Sequence, residues 1–193
     1  EPKEGDIQMS EEELRVVEAA RKREQERKER PEVVRARFVA WAEEFDLGDK
    51  DWVDETFIFH PDGSVTVEEL YLKNTNISYL PKGLKSVGGH LDLSNNRLTS
   101  LEGLPREIGG SLDLGSNQIT SLEGLPREIG GSLDLGGNQI TSLEGLPREI
   151  GRDLWLANIP ATEIPEHTQV GGKIHVDISQ TALAKDIKKK YPG

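Results

Sequence analysis

Residues 132–151 read SLDLGGNQITSLEGLPREIG, and residues 111–130 have already read SLDLGSNQITSLEGLPREIG. The two stretches start 21 residues apart, and they differ at one position, where Ser116 is replaced by Gly137. Self-similarity at a fixed spacing is typical of architectures in which one small unit is stacked many times. A unit of this size cannot bury its apolar face alone, so each copy needs the next copy as its packing partner.

Further copies extend the repeat in both directions. Segments with the same opening begin, each 21 residues after the last, at Leu70, Leu91, Leu112, Leu133 and Leu154. Their shared pattern is L-x-L-x-x-N-x-L/I-x-x-L. The Leu-x-Leu alternation predicts a short strand with one buried face, and stacked strands predict a parallel sheet over one continuous core. A looser copy follows from Val176, where the alternation of Ile174, Val176 and Ile178 leaves the register open.

This pattern resembles that of the leucine-rich repeat family over roughly residues 67–185. The resemblance implies an α/β solenoid with a short, curved parallel sheet on its concave side. It also implies that Asn96, Asn117 and Asn138 point inward and form a structural ladder of hydrogen bonds to the backbone of adjacent turns. A buried amide needs such partners, since an unpaired one costs about 1–3 kcal/mol. In the outer copies other residues stand at this position: Thr75, Ile159 and Thr181.

The second half of each repeat reads LEGLPREIGG in the best conserved copies. Proline fixes φ, so Pro105, Pro126 and Pro147 are expected to open a short 3₁₀ turn on an otherwise irregular convex side. The Gly-Gly pair that follows permits a tight reversal of the backbone into the next strand. The L-x-x-L-P element is similar to that of the short bacterial class of the family, which includes secreted effectors with a helical N-terminal cap.

The flanking segments predict caps for the two ends of the stack. Residues 1–30 are dominated by charge and predict a solvated helix, in part disordered, with Ser10 and Glu13 at capping-box spacing. Residues 31–66 predict a helix, interrupted by LGDKDWVDE, and a β-hairpin, which together cover the first repeat. The repeats are expected over 67–182 as five or six units, and residues 183–193 predict a short C-terminal capping helix.

The strand positions between the leucines are predicted to face solvent on the concave side. These positions hold Tyr71, Asp92, Asp113, Asp134 and Trp155. Neighbouring strands lie about 4.8 Å apart, so three like charges repel, and some of these aspartates should have raised pKa values. One interpretation is a binding surface for a protein or peptide, basic or extended in character. The other is that Asp was copied with the whole repeat and serves no ligand.

Composition argues against several other kinds of site. The chain of 193 residues has no cysteine, which excludes a thiolate metal site and a cysteine nucleophile. Its four histidines share no metal-ligand spacing, and no phosphate-binding loop or nucleophile motif occurs. The formal charge of −11 argues against nucleic acid or an anionic membrane as partner, and no apolar run is long enough to span a bilayer. We therefore expect no catalytic residues, no cofactor and no metal.

The sequence thus favours a monomeric, cytoplasmic, non-enzymatic scaffold that recognises a partner protein on the concave face of the repeat sheet. The chain begins with Glu1, so a secreted protein whose signal was removed is an alternative location. Two other functions stay open. One is a secreted bacterial effector of this repeat class that acts on host proteins, and the other is a structural or engineered repeat without a dedicated ligand.

Overall fold

The computed structural model describes residues 10–27 and 29–193. The helices of this part of the chain are α1 Glu11–Arg27, α2 Pro31–Glu44, α3 Lys50–Thr56 and α4 Thr181–Lys190. Between α3 and α4 the chain winds as a solenoid of short strands. None of the described helices combines the length and the apolarity needed to cross a bilayer. What the sequence predicts for residues 1–9 lies outside the described residues.

One strand per turn builds the concave sheet, and this confirms the predicted parallel solenoid. Its six strands, in spatial order, are β3 Leu70–Tyr71, β5 Leu91–Asp92, β7 Leu112–Asp113, β9 Leu133–Asp134, β11 Leu154–Trp155 and β13 Ile174–His175. The first leucine of each strand lies opposite the leucine of the next turn, as Leu112 does with Leu133, except that Leu154 lies opposite Ile174. The inward side chains, such as those of Leu112 and Leu114, are buried in a single core that runs the length of the stack. The 21-residue period therefore acts as the register of the sheet.

The convex side is more regular than the sequence predicts. The expected 3₁₀ turn over Pro-Arg-Glu-Ile is absent from the described repeats, and a two-residue strand stands there instead. These strands join a second sheet in the order β1 Ile58–Phe59, β2 Val65–Val67, β4 Leu84–Val87, β6 Glu107–Ile108, β8 Glu128–Ile129, β10 Glu149–Ile150 and β12 Gln169–Val170. An extended backbone buries the isoleucine and pairs with the equivalent segment of the neighbouring turn, as Ile108 pairs with Ile129. Neighbour pairing outweighs the local preference of proline for a tight turn.

Glycine allows the turns to approach each other at the end of these convex strands. A Cβ atom on Gly109 would lie 2.1 Å from the carbonyl oxygen of Gly88, and one on Gly130 would lie 2.0 Å from that of Gly109. No side chain fits at that distance. Glycine at positions 109 and 130 is therefore required by close contact between backbones.

The N-terminal cap closes the first turn with an aromatic cluster. Phe38 of α2 is fully buried, and its ring meets those of Phe57 and Phe59 edge to face at centroid distances of 5.0 and 5.5 Å. Trp41 donates its indole N–H to the Tyr79 carbonyl oxygen at 2.9 Å, which ties the helix to the first repeat. The hairpin of β1 and β2 continues into the convex sheet, because β2 pairs with β4. The cap is thus continuous with the solenoid.

Helix α3 is a feature that the sequence analysis missed, since it treats LGDKDWVDE as an interruption. Asp49 starts this helix by accepting hydrogen bonds from the backbone N–H groups of Asp51 and Trp52 at 3.0 and 3.1 Å. Arg35 of α2 then forms a two-pronged ion pair with Asp54 of α3. The charged residues that suggest a loop serve here as a helix cap and a helix-to-helix contact.

The predicted capping box begins helix α1. The backbone N–H of Ser10 donates to the Glu13 carboxylate at 2.8 Å, and the N–H of Glu13 donates to the Ser10 hydroxyl at 3.3 Å. The apolar side chains of Leu14, Val16 and Val17 are exposed. Local capping therefore stabilises the start of this helix.

Helix α4 closes the other end of the core. Leu183 is buried, and Asp186 accepts the backbone N–H of Ile164 at 2.8 Å. Lys190 donates to the carbonyl oxygen of the same Ile164 at 2.8 Å. Helix α4 therefore binds both the N–H and the carbonyl group of Ile164. The Tyr191 hydroxyl donates to the Pro165 carbonyl oxygen at 2.6 Å. These bonds fix the cap on the final turn.

Candidate functional site

The concave sheet brings the five predicted surface residues into one row. Tyr71 lies opposite Asp92, Asp92 opposite Asp113, Asp113 opposite Asp134, and Asp134 opposite Trp155. We call this line of side chains the concave row. The tyrosine and the tryptophan are exposed, by 60% and 40%, and the three aspartates between them are half-buried. The aromatic ends therefore stand higher above the sheet than its acidic centre.

Each aspartate of the concave row has a local structural role. Asp92 Oδ1 accepts the backbone N–H of Ser94 at 3.0 Å. Asp113 and Asp134 do the same for Gly115 and Gly136, at 2.9 and 2.8 Å. A carboxylate that bonds the N–H two residues further on stabilises the bend that ends the strand. In each of these hydrogen bonds the acceptor is Oδ1.

The electrostatics of the row centre on Asp113. Burial raises the pKa of its carboxyl above the ordinary value, and the carboxylates of Asp134 and Asp92 act in the same direction. The hydrogen bond from the Gly115 N–H and the charge of Lys73 act in the opposite direction. A raised pKa was expected from charge repulsion, and burial is the larger cause. The centre of the row is thus a place where added positive charge would be favourable.

The Tyr71 end of the row is held by its own strand. The Tyr71 hydroxyl donates to Glu69 Oε2 at 2.9 Å, and this bond raises the pKa of the phenol. The side chain remains exposed despite this contact. Tyr71 is therefore an oriented aromatic surface rather than a freely rotating one.

The Trp155 end continues into a residue that the sequence analysis did not select. His175 lies opposite Trp155 on the last strand, and the two rings stack with centroids 3.6 Å apart and planes within 7°. Nε2 of His175 lies 2.8 Å from Asp153 Oδ2. Asp153 also accepts the Lys173 N–H at 2.9 Å, and these two contacts hold the pKa of its carboxyl below the ordinary value. The indole is thereby fixed in orientation through His175.

A second ladder of side chains borders the concave row. His90 Nδ1 accepts the N–H of Ser111 at 2.9 Å, and Ser111 Oγ accepts the N–H of Ser132 at 2.9 Å. Ser132 Oγ accepts the N–H of Asp153 at 3.2 Å, and Asp153 in turn accepts that of Lys173. Each side chain binds the backbone of the equivalent residue one turn later. We call these residues the edge ladder.

The asparagines lie on the core side of the same turns. Asn117 Nδ2 donates to the carbonyl oxygens of Leu93 and Leu114, both at 3.0 Å, and its Oδ1 accepts the Leu98 N–H at 3.0 Å. Asn96 and Asn138 make the equivalent donations to the turns before them. The three side chains are buried. Each amide therefore joins its own turn to the preceding one.

The last rung of this ladder falls on Gln180, and its expected place at Thr181 was wrong. Gln180 Nε2 donates to the carbonyl oxygens of Leu156 and Ile159, at 2.8 and 3.1 Å. Thr181 instead begins helix α4. Gln180 lies 21 residues after Ile159, so the rung keeps the regular period. The expected place at Thr181 followed from starting the last copy at Val176, whereas the strand of that turn is Ile174–His175. The longer glutamine side chain reaches acceptors that an asparagine reaches in the regular turns.

Sequence reasoning missed His175 and the hydrogen bonds of the edge ladder. The alternation at Ile174 left the register of the last copy open, so His175 could not be aligned with Trp155. The 20-residue step from Leu154 to Ile174 is the signal that aligns them. The residues of the edge ladder do keep the 21-residue spacing, so the sequence places them beside the concave row. It does not give their hydrogen bonds, because His, Ser and Asp share only the ability to accept one.

The side chains of the concave row can make hydrogen bonds, ion pairs and aromatic contacts. Within the described residues no group of three or more His, Asp or Glu side chains is placed to hold a metal ion. The concave row offers carboxylates with an uncommitted Oδ2, two oriented aromatic side chains, and a floor kept low by Gly115 and Gly136. Such a surface suits an extended chain that carries positive charge.

The sequence model of the Leucine Rich Repeat family matches residues 90–110. This match covers one turn of the solenoid, from His90 at the edge ladder to the Gly109-Gly110 pair. Comparison with curated proteins and with solved structures gave no match.

Proposed function

The chain is a leucine-rich repeat protein, and we propose that it is a non-enzymatic scaffold that binds a partner protein through the concave row. The observation that carries the proposal is the register of that row. Exposed aromatic side chains stand at both ends of a carboxylate line, and Trp155 is fixed in place by its stack on His175. Folding alone gives no reason to expose a tryptophan and then hold it in one orientation.

The chemistry of the row favours a partner with Lys or Arg in an extended segment. His175 covers one face of the Trp155 indole, so the other face is turned towards Asp134, its neighbour on the opposite side. A cation above that carboxylate would contact both the negative charge and the aromatic face. Tyrosine and tryptophan also contribute large contact areas at low entropic cost, which makes them common hot spots.

A purely structural function is favoured by a different observation. Each aspartate of the row accepts the N–H two residues further on, so its presence in every regular repeat has a local explanation. That explanation does not extend to Tyr71, Trp155 or His175, which make no such bond within the described residues. The binding function and the purely structural function therefore make different predictions for Tyr71 and Trp155, the aromatic ends of the row.

The decisive experiment compares three baits in affinity capture from the source cells, followed by a binding titration with the purified captured protein. The baits are the native chain, a Tyr71→Ala/Trp155→Ala variant, and a Glu123→Ala/Glu144→Ala control altered at exposed convex turns. We expect the control to bind like the native chain and the aromatic variant to lose at least about tenfold in affinity. A partner that binds the aromatic variant as tightly as the native chain would overturn the proposal.

The aspartates are tested separately with an Asp92→Asn/Asp113→Asn/Asp134→Asn variant. Asparagine keeps the Oδ1 acceptor for the strand-end bond and removes only the charge. We expect weaker binding and a smaller dependence of affinity on salt, with no loss of stability. Unchanged affinity would restrict the recognition surface to its aromatic ends.

A further inference from the structure

Two rows of opposite charge run side by side on the outer face of the convex sheet. The cationic row consists of Lys85, Arg106, Arg127 and Arg148, and the acidic row consists of Glu107, Glu128 and Glu149. Every one of these side chains is exposed, whereas Ile108 and Ile129, next to the glutamates, are buried. Both rows therefore lie outside the core, one residue per turn.

Strand pairing brings the members of each row close together. Glu149 lies opposite Glu128 in parallel register, and Glu107 precedes Ile108, which lies opposite Ile129. Neighbouring strands are about 4.8 Å apart, so like charges face each other at every step. Like charges directly across a sheet are destabilising.

Within the described residues, none of these seven side chains forms an ion pair within 4.0 Å. Among the described residues, the recorded ion pairs lie elsewhere, at the N-terminal cap, at Lys82 and Glu102, and near the C-terminus. Arg127 and Glu128 are adjacent in sequence, but neither takes part in an ion pair within 4.0 Å. Both rows thus present their charges outward.

The two rows border one shallow cavity of about 1030 Å³. Its lining includes Arg106 and Arg127 from the cationic row and all three glutamates of the acidic row. Gly109 and Gly130 also line it, together with apolar side chains such as Leu125 and Pro126. The rows therefore form one continuous surface.

We propose that this surface binds the same surface of a second copy of the chain, with the cationic row of each copy facing the acidic row of the other. The argument is the spacing. A charged row with a step of about 4.8 Å is matched over its whole length by another stack of paired strands, whereas an extended peptide, which steps about 3.3 Å per residue, stays in register with only a few of the charges. A second copy carries both a cationic row and an acidic row with this same spacing between charges.

The required symmetry is a two-fold axis parallel to the rows. Such an axis exchanges the lateral positions of the two rows and keeps the order of turns, so Arg127 meets the partner subunit's Glu128 and Glu128 meets the partner subunit's Arg127. An axis perpendicular to the rows would instead oppose like charges. The contact is self-complementary and closes as a dimer, and it leaves the concave row free.

The proposed dimer differs from the monomer that the sequence analysis expects, and it should be weak and sensitive to salt. Exposed ion pairs are individually weak, and they are screened as ionic strength rises. We expect the dissociation constant, measured by sedimentation equilibrium, to rise at least about tenfold between about 0.05 M and about 0.5 M NaCl.

The test mixes two charge-reversed variants of the full chain. The first carries Glu107→Lys, Glu128→Lys and Glu149→Lys, and the second carries Arg106→Glu, Arg127→Glu and Arg148→Glu. We expect each variant alone to sediment as a monomer at protein concentrations where the native chain dimerises. We expect the equimolar mixture to form a heterodimer, because its two surfaces are opposite in charge at every changed position.

Two further variants keep the test decisive where a triple change prevents folding. Glu128→Lys and Arg127→Glu alter only the central pair, and they should lower dimer formation singly and restore it when mixed. The concave variant Asp92→Asn/Asp113→Asn/Asp134→Asn should dimerise like the native chain. A native chain that stays monomeric at low salt, or folded variants that fail to associate when mixed, would overturn the proposal and leave the rows to a different partner.

Discussion

Asn117 joins its own turn to the one before it, because its Nδ2 donates to the carbonyl oxygen of Leu93 at 3.0 Å, 24 residues earlier in the chain. The same amide donates to Leu114 and accepts the N–H of Leu98, so all of its hydrogen-bonding atoms are used. The side chain is buried in the middle of the stack. Its loss would therefore leave backbone groups unpaired in two adjacent turns.

We predict that Asn117→Leu lowers the free energy of unfolding by about 1–3 kcal/mol, because a leucine of similar size can neither donate nor accept these bonds. The matched control is Thr75→Val in the first turn, where the Thr75 hydroxyl donates to Leu72 at 2.7 Å from a half-buried position. The control should cost less. Equal denaturation midpoints for Asn117→Leu and the native chain would contradict the prediction.

Gly109→Ala should destabilise the solenoid much more than Gly115→Ala. A Cβ on Gly109 would lie 2.1 Å from the Gly88 carbonyl oxygen, so two turns would have to separate, at a cost of at least about 2 kcal/mol. A Cβ on Gly115 would come no closer than 3.1 Å to Asp113 Oδ1. Other turns show that this second position accepts a side chain, since Ser94 and Ala157 occupy it. Chemical denaturation of the two variants measures the difference, and similar losses in both would contradict the close contact of the turns.

Ser116→Asn should raise the stability of the chain. Ser116 has φ of 55°, in the left-handed region, and Asn74, Asn95 and Asn158 occupy the same position in other turns with φ of 60°, 54° and 55°. Asparagine tolerates this conformation better than serine does, and the Ser116 side chain is exposed. We expect a gain of about 0.5 kcal/mol, seen as a higher melting temperature. Ser116→Val is the opposing control, because a β-branched residue is strained there, and it should melt lower than the native chain.

The repeat spacing carries most of the information about the fold. Leu112 and Leu133 are 21 residues apart in sequence and opposite each other in the sheet, so the period alone sets strand, register and core. The same argument places Tyr71, Asp92, Asp113, Asp134 and Trp155 in one row. Regular stacking makes the position of a residue in the repeat equivalent to its position in space.

The features that sequence reasoning missed depend on contacts between turns or on a local cap. The convex strands exist because each Glu-Ile pair finds the same pair in the next turn, as at Glu128 and Glu149. Helix α3 depends on the acceptor that Asp49 supplies. His175 lies opposite Trp155 because the last step of the concave sheet is 20 residues long. The residues of a single repeat encode none of these features.

Asp113→Asn should remove the loss of stability that ionisation of the Asp113 carboxyl causes as pH rises. Burial raises the pKa of Asp113 in the folded chain, so the folded state holds the proton more tightly than the unfolded state. The stability that Asp113 contributes therefore falls as pH rises from its unfolded value, about 3.9, through the folded value. Relative to the native chain, the Asn variant should be level or less stable at low pH and more stable at neutral pH.

Asp186→Asn gives a control of opposite sign. The Ile164 N–H and Lys190 hold the pKa of Asp186 below its ordinary value, so its contribution is present at neutral pH and lost as pH falls through the folded value. This variant should be less stable than the native chain at neutral pH and approach it in acid. Urea denaturation of both variants at several pH values measures these differences. Parallel profiles for the two variants would contradict the assigned directions.

The N-terminal cap should be required for a folded, monodisperse solenoid. Phe38 and Trp41 of α2 are buried against the first turn, and Val65 and Val67 of β2 extend the core into the hairpin. A chain shortened to begin at Thr66 loses α2, α3 and β1, so it exposes the first layer of core leucines and the edge of β4 to solvent or to other copies. We expect it to aggregate or to unfold.

A chain shortened to begin at Arg30 loses α1, whose described apolar side chains are exposed, together with the surface ion pair between Glu29 and Arg37. That chain should keep a melting temperature close to the native value, since one exposed ion pair contributes about 1 kcal/mol or less. Circular dichroism melts and light scattering on the two shortened chains distinguish a structural cap from a dispensable appendage. If the chain from Thr66 scattered as a monomer and melted like the native chain, the repeats would be self-sufficient and the cap would need another explanation.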